Sequence, residues 1–206
     1  MAAGLLGAKV SMISRLGVDD FAKMVLDTWN NAGVTPYVEQ SADDYTGAAY
    51  IFIEEHSGEN AIIIAPGAAA KICAADLEAQ AELIASADVF VTQLEQPMDA
   101  AMKGLEIARS SGVKTILNPA PAAELPIGML ELCDFITPNE TETEALTGIS
   151  VNSLEDAEKA AQVLHDMGVA TPVITLGARG AYLFNHGLIK SFIVGPVKET
   201  TGAGDA

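Results

Sequence analysis

"DVFVTQLEQPMDAAMKGLEIARSSGVKTILNPA", residues 88–120, carries the pattern that decides the fold. Asp88 to Leu94 is an aliphatic run of strand length. Pro97 suits the first turn of a helix and Gly112 the end of one. "VKTILNPA" (113–120) is a second aliphatic run. Strand, helix and strand in this order make a βαβ unit, with parallel strands and a right-handed crossover.

The same rhythm extends in both directions. Downstream come a short helix, "DFITPN" (134–139), and a helix capped by Ser153 with Leu154, Ala157, Ala161 and Leu164 at helical spacing, ended by Gly168. Strand "PVITLG" (172–177) and a hairpin turning at Asn185-His186-Gly187 complete it. Upstream, Asp76 to Ala85 reads as a helix. "KVSMISRLG" (9–17) reads as a strand, and Asp19 or Asp20 caps a helix with Phe21, Met24, Val25, Thr28 and Trp29 on one face, closed by Gly33. The texture changes between these. "TPYVEQS" (35–41), "TGAAYIFIEE" (46–55) and "NAIIIAPG" (60–67) are short strands with a hairpin turn at His56–Asn60. The expected fold is therefore α/β, a mostly parallel sheet flanked by helices over residues 1–36 and 66–206. A small β-rich lid over 37–65 is inserted in it.

Composition agrees with that class and excludes others. Half of the 206 residues are hydrophobic and only 5% aromatic, the aliphatic balance of buried parallel strands. With 28 acids against 11 bases the net charge is -17, which repels a phosphate backbone and argues against nucleic-acid binding. Two cysteines, Cys73 and Cys133, without CxxC or a Cys/His cluster, suit a reduced interior without structural zinc. The opening residues lack a signal-peptide pattern, and no apolar run approaches a bilayer span. A cytoplasmic protein with no membrane partner is expected.

In an open α/β sheet, ligands sit beyond the carboxyl ends of the strands, and here polar residues collect there. These ends carry Gln93 and Glu95, Asn118-Pro119, Thr137-Pro138-Asn139-Glu140, Thr175-Leu176-Gly177, and finally Thr-Thr-Gly-Ala-Gly-Asp (200–205). In the last turn, Gly202 and Gly204 let backbone N–H groups converge on an anion, ahead of a helix N-terminus. Asp205 is either an N-cap or a base toward a substrate hydroxyl. Asn139 and Glu142 either complement a helix start or hold a hydrated Mg²⁺ beside a nucleotide. In "TLGARG" (175–180) the glycines allow close approach to phosphates, and Arg179 is placed to pair with one. Glu95 is placed to bind sugar hydroxyls. His56, His165 and His186 read as surface residues. Neither G-x-x-x-x-G-K-[ST] nor a G-x-G-x-x-G after a strand is present, which argues against P-loop NTPases and dinucleotide-binding dehydrogenases.

In order and spacing, "QLEQP" (93–97), "LNPAPAAELP" (117–126), "ITPNETETEALTG" (136–148), "VITLGARGAYL" (173–183) and "TTGAGDA" (200–206) resemble the ribokinase-like (PfkB) sugar kinases. "AAGLLGAKVSMISRLGVDDF" (2–21), "TGAAYIFIEEHSGENAIIIAPGA" (46–68) and "DAEKAAQVLHDMGV" (156–169) extend the resemblance over the whole chain. It implies transfer of the ATP γ-phosphoryl group to the primary hydroxyl of a pentose, with ribose giving ribose 5-phosphate. A fructose derivative, a nucleoside, or a non-catalytic dimerising role are the alternatives. By resemblance, Asp205 is the base, Gly202, Ala203 and Gly204 form the anion hole, and Glu95 and Asp205 meet the sugar. Asn139, Thr175, Leu176, Gly177, Ala178, Arg179, Gly180 and Gly204 line the nucleotide site. Asn139 and Glu142 organise Mg²⁺, and the lid serves as a homodimer interface. Glu199 stands where the family usually has an aspartate at a monovalent-cation (K⁺) site, beside Thr201, and Ala69 stands where an asparagine is common. The family's first strand with its sugar-binding Asn and Asp is expected ahead of Ala2, and the helices flanking the adenine beyond Ala206. The 206 residues by themselves are expected not to phosphorylate ribose measurably.

Overall fold

The computed structural model describes residues 1–54, 60–192 and 195. They fall into two compact units, Met1–Ile72 and Cys73–Ile193.

In the first unit a short helix, α1 (Ala2–Leu5), precedes β1 (Val10–Gly17), α2 (Asp20–Asn31) and β2 (Val34–Ser41). β1 and β2 pair in parallel from Val10↔Val34 to Gly17↔Ser41, so the segment is a βαβ unit. Asp19 starts α2 by accepting the Ala22 N–H at 2.8 Å. The buried face of α2 is rotated from the expected one. Ala22 is buried, Val25, Leu26 and Trp29 are half-buried, and Phe21 and Met24 are 49% and 61% exposed. At about 100° per residue, Ala22, Val25, Leu26 and Trp29 share one side, and the small Ala22 permits close approach there.

β3 (Thr46–Ile53) and β4 (Asn60–Gly67) form an antiparallel ribbon, registered from Thr46↔Gly67 to Ile53↔Asn60. Its root is tied several times. The second Asp19 carboxylate oxygen accepts the Thr46 N–H at 2.7 Å, and the Thr46 hydroxyl accepts from Gly17 N at 3.0 Å. The Thr46 and then the Ala22 N–H hold the Asp19 carboxyl below its usual range. Lys71 pairs with Asp44, and the Ala68 N–H donates to Tyr45 O at 2.8 Å. Gly67, at φ +53°, lies so close that a Cβ would stand 2.3 Å from Tyr45 O. Both ribbon faces are apolar and open: Tyr50, Phe52 and Ile63 on one, Ile51, Ile53, Ile62 and Ile64 on the other. The hairpin turn expected at His56–Asn60 falls on residues 55–59, outside the described ones, and on their neighbour.

The second unit runs α3 (Ala74–Ala79), α4 (Ala81–Ala85), β5 (Val89–Thr92), α5 (Met98–Ser110), β6 (Lys114–Leu117), β7 (Phe135–Ile136), α6 (Glu140–Thr147), α7 (Leu154–Asp166), β8 (Thr171–Thr175), β9 (Ala181–Leu183) and β10 (Gly187–Ile189). The sheet order is β10-β9-β8-β7-β6-β5. β5 to β8 are parallel, and the β9–β10 hairpin joins antiparallel, turning at Asn185 (φ 60°) and Gly187 (φ +81°). This is the mostly parallel, helix-flanked sheet that the aliphatic runs imply. The helix expected over Asp76–Ala85 is two helices, because Gln80 (φ −106°, ψ 17°) steps out of helical geometry.

Leu105, Leu117, Ile136, Leu164, Val169 and Ile174 are fully buried between the sheet and its helices. α7 lays Ala157, Ala160, Ala161 and Leu164 into this core and is capped by Ser153 with Asp156, as its spacing implies. Gly104 lets α5 lie on Phe90, whose ring would be 2.4 Å from a Cβ there. The entry to β7 is held by Asp134, which is 8% exposed. Its carboxylate accepts from Thr115 N at 3.0 Å, Lys114 Nζ at 3.2 Å and Arg109 Nη1 at 3.2 Å. The buried Thr115 hydroxyl accepts the Asp134 N–H at 2.8 Å and donates to Leu132 O at 2.6 Å. No helix among the described residues is long and apolar enough to cross a membrane.

Candidate active-site edge

Because β5, β6, β7 and β8 are parallel, their carboxyl ends lie along one edge of the second unit. Backbone bonds lace the segments that leave this edge. Asn118 N donates to Thr92 O at 2.9 Å, Leu94 N to Ala120 O at 3.0 Å, Thr137 N to Leu117 O at 2.9 Å and Thr175 N to Pro138 O at 2.8 Å. The sequence-expected residues of β5 to β8 are thereby brought to one edge.

Glu95 follows β5 and is exposed, with its N–H donating to Gln93 Oε1 at 2.8 Å. No described residue holds its carboxylate, which leaves it able to accept from a hydroxyl-bearing ligand.

Asn139 and Glu142 meet directly at the start of α6. Asn139 Oδ1 accepts the Glu142 N–H at 2.9 Å. Glu142 Oε2 accepts the Asn139 N–H at 2.8 Å, and Oε1 accepts from Asn139 Nδ2 at 3.0 Å. This is a reciprocal capping box, and Glu142 is only 7% exposed within it. The pair fits a magnesium ion through the ion's water shell rather than as a ring of direct ligands. Asn139 Nδ2 is a donor, and each carboxylate oxygen already accepts one bond and keeps one acceptor direction. Among the described residues no three His, Cys, Asp or Glu side chains gather as a metal site.

The Thr175–Gly180 turn leaves β8 and folds on itself. Leu176 N donates to Gly180 O at 2.8 Å, Arg179 N to Leu176 O at 3.1 Å and Gly180 N to Gly177 O at 3.1 Å. Gly177 (φ +54°) and Gly180 (φ +107°) adopt backbone that side chains disfavour. Leu176 is buried, while Gly177, Ala178 and Arg179 are exposed, so this turn offers mainly backbone to a ligand. Arg179 does not extend freely. Its Nη2 lies 3.3 Å from Glu140 Oε1 and its Nη1 donates to Asn152 O at 3.2 Å. Neither partner was a candidate from the sequence. Glu140 reads there as one of several acids at a helix start, and Asn152 contributes only a carbonyl. His165 is exposed, stacks on Phe184 at 4.6 Å and bonds Val169 O through Nδ1, a structural role. Glu199, Thr201, Gly202, Ala203, Gly204 and Asp205 lie outside the described residues.

The model of the family described as pfkB family carbohydrate kinase matches residues 1–206. The chain belongs to this family. A ribokinase from Haemophilus influenzae is 40% identical over 209 residues, which cover 100% of this chain and 68% of the relative. A deoxyribokinase from Salmonella typhi is 35% identical over 211 residues, covering 100% and 68%. The structure of Arabidopsis thaliana ribokinase complexed with ribose and ATP superposes with a TM-score of 0.86 at 29% identity, covering 98% of this chain and 68% of that one. The chain thus spans about two thirds of the length of these relatives. As a pfkB family member it is an ATP-dependent sugar kinase.

Proposed function

We propose that the sugar is ribose and the product ribose 5-phosphate. The supporting observation is 40% identity to a ribokinase along the whole chain. The gathering of the parallel strand ends along one edge supports seating the two substrates there. In this reading Glu95 accepts from sugar hydroxyls, and Asp205 orients and deprotonates the primary hydroxyl. The Gly202-Ala203-Gly204 backbone receives the charge of the transferring phosphoryl group. The turn of Thr175, Leu176, Gly177, Ala178, Arg179 and Gly180, with its backbone exposed at Gly177 to Arg179, holds the nucleotide together with Asn139 and Gly204. Asn139 and Glu142 orient water around magnesium. When bound, that ion neutralises phosphate charge. Glu199 and Thr201 hold K⁺, and the longer Glu199 makes that activation weaker than, or different from, what an aspartate would give. The open apolar ribbon pairs with that of a second copy, since two such faces left in water would be an association liability. The enzyme works in the cytoplasm.

The deoxyribokinase at 35% identity makes 2-deoxyribose the second reading. ADP release coupled to an indicator reaction, with ribose, 2-deoxyribose, fructose or a nucleoside as acceptor, separates them. In the enzyme completed to its relatives' length, ribose is expected to give the highest kcat/KM, and Asp205→Asn to lower turnover by about 10²–10⁴-fold. A higher kcat/KM for another acceptor rejects ribose, and undiminished turnover in Asp205→Asn rejects the base. Sedimentation of a monomer at high concentration rejects the ribbon dimer.

A further inference from the structure

We infer that Arg179 is a positioning residue, a latch that fixes the nucleotide-binding turn against the start of α6, and not a phosphate ligand. The inference rests on the nucleotide reading of that turn.

The guanidinium is engaged on two sides by protein. Nη2 reaches Glu140, the first residue of α6, and Nη1 reaches the Asn152 carbonyl ahead of α7. These contacts bridge 39 and 27 residues of chain, so they tie the turn to two other segments of the same unit. A planar guanidinium suits this task, because its fork addresses two acceptors at once where an ammonium would hold one. A third tether comes from Ser191, whose hydroxyl donates to Ala178 O at 2.7 Å. The turn is thus pinned from several sides while the backbone of Gly177 and Ala178 stays exposed.

The partner matters as much as the contact. Glu140 adjoins Asn139, whose box with Glu142 forms the candidate magnesium-organising pair. Latching Glu140 therefore couples the nucleotide turn to the magnesium-organising pair through one ion pair at 3.3 Å. The latch also has an electrostatic side. An unpaired Glu140 carboxylate at this edge repels a nucleotide's phosphates, and Arg179 offsets that charge in a chain of net charge -17. A phosphate bound to Arg179 would share the guanidinium with the Glu140 carboxylate, setting two anions against one cation.

The test compares wild type, Arg179→Ala, Glu140→Ala and the double variant. Amide hydrogen exchange over residues 177–180 is measured without nucleotide, and binding of Mg·ATP, Mg·ADP and adenosine by calorimetry. The latch predicts faster exchange in this turn in both single variants, with melting temperature nearly unchanged. It predicts dissociation constants raised about two- to fivefold, the range for a partly exposed pair, alike for all three ligands in Glu140→Ala, and raised more for the phosphorylated ligands than for adenosine in Arg179→Ala, where the Glu140 charge is left unpaired. The double variant should bind no worse than Arg179→Ala alone. Unchanged exchange in Arg179→Ala overturns the latch, whatever the nucleotide data show. A loss that grows from adenosine to ATP, with tighter binding in Glu140→Ala, overturns it in favour of a direct phosphate contact. Wild type that binds no nucleotide overturns the reading of the turn, while exchange still decides the latch.

Discussion

Replacing Gly180 by alanine, with Gly177→Ala as its partner, isolates what the turn proposed to hold the nucleotide demands of its backbone. The two glycines sit three residues apart and receive the same methyl group. At Gly177, φ is +54° and nothing lies within 4 Å of an added Cβ. The cost there is the left-handed penalty of roughly 1–2 kcal/mol, partly offset by about 0.4–1 kcal/mol from a stiffer unfolded chain. A net loss of about 0.5–1 kcal/mol results. At Gly180, φ is +107°, and the Cβ would stand 2.0 Å from Ile189 O, 2.7 Å from Ser191 N and 2.9 Å from Lys190 C. All three are backbone atoms, so no side chain can swing aside. The disfavoured backbone adds about 1–3 kcal/mol, and the overlap about 1–3 kcal/mol more as β10 is pushed off. A total near 3–5 kcal/mol is expected. Urea unfolding followed by circular dichroism reads the stability difference, and Mg·ATP titration reads the turn. Gly180→Ala should lose at least about tenfold in nucleotide affinity, because relieving the overlap moves the backbone proposed to meet the ligand. Equal unfolding midpoints for the two variants would refute the reasoning.

Asp134→Ala should cost about 2–4 kcal/mol in urea unfolding, since it strands the buried Thr115 N–H, whereas Lys114→Ala, at 65% side-chain exposure, should cost under about 1 kcal/mol. Burial raises the Asp134 carboxyl, but the Thr115 N–H, Lys114 and Arg109 outweigh it, leaving the pKa below its ordinary 3.8. Its contribution is therefore present above pH 3.8 and lost as the pH falls through the lower folded value, so the gap between wild type and Asp134→Ala should narrow in acid unfolding. Gly104→Ala should destabilise by about 1–3 kcal/mol despite alanine's better helix propensity, because its Cβ meets the Phe90 ring at 2.4 Å; a more stable variant would mean that the ring moves freely. Glu142→Gln turns one acceptor of the capping box into a donor facing Asn139, and in the enzyme completed to its relatives' length should raise the magnesium concentration for half-maximal ADP release; an unchanged requirement would remove Glu142 from that role.

What could be read from the residues follows the range over which they act. The stretch at 88–120 was legible because aliphatic runs, Pro97 and Gly112 act within a few residues of themselves, and β5, α5 and β6 lie where those signals put them. The Asn139–Glu142 box is local as well, a reciprocal contact three residues apart. The α2 face was not legible, because apolar side chains mark a stripe but not which side approaches its neighbour. Ala22, whose small size allows that approach, carries almost no hydropathy signal. The Asp134 cluster and the Arg179 latch were illegible for a stronger reason. Their partners lie 19 to 39 residues away, and an exposed-looking charge in a loop has no period to betray its target. A parallel sheet gathers its strand ends along one edge by topology, so a list of strand-end residues already points to that edge. Which of them face a ligand and which hold another in place depends on the tertiary contacts alone. Arg179 illustrates the distinction: its position among glycines after a strand suggested a phosphate partner, and its contacts are with Glu140 and the Asn152 carbonyl.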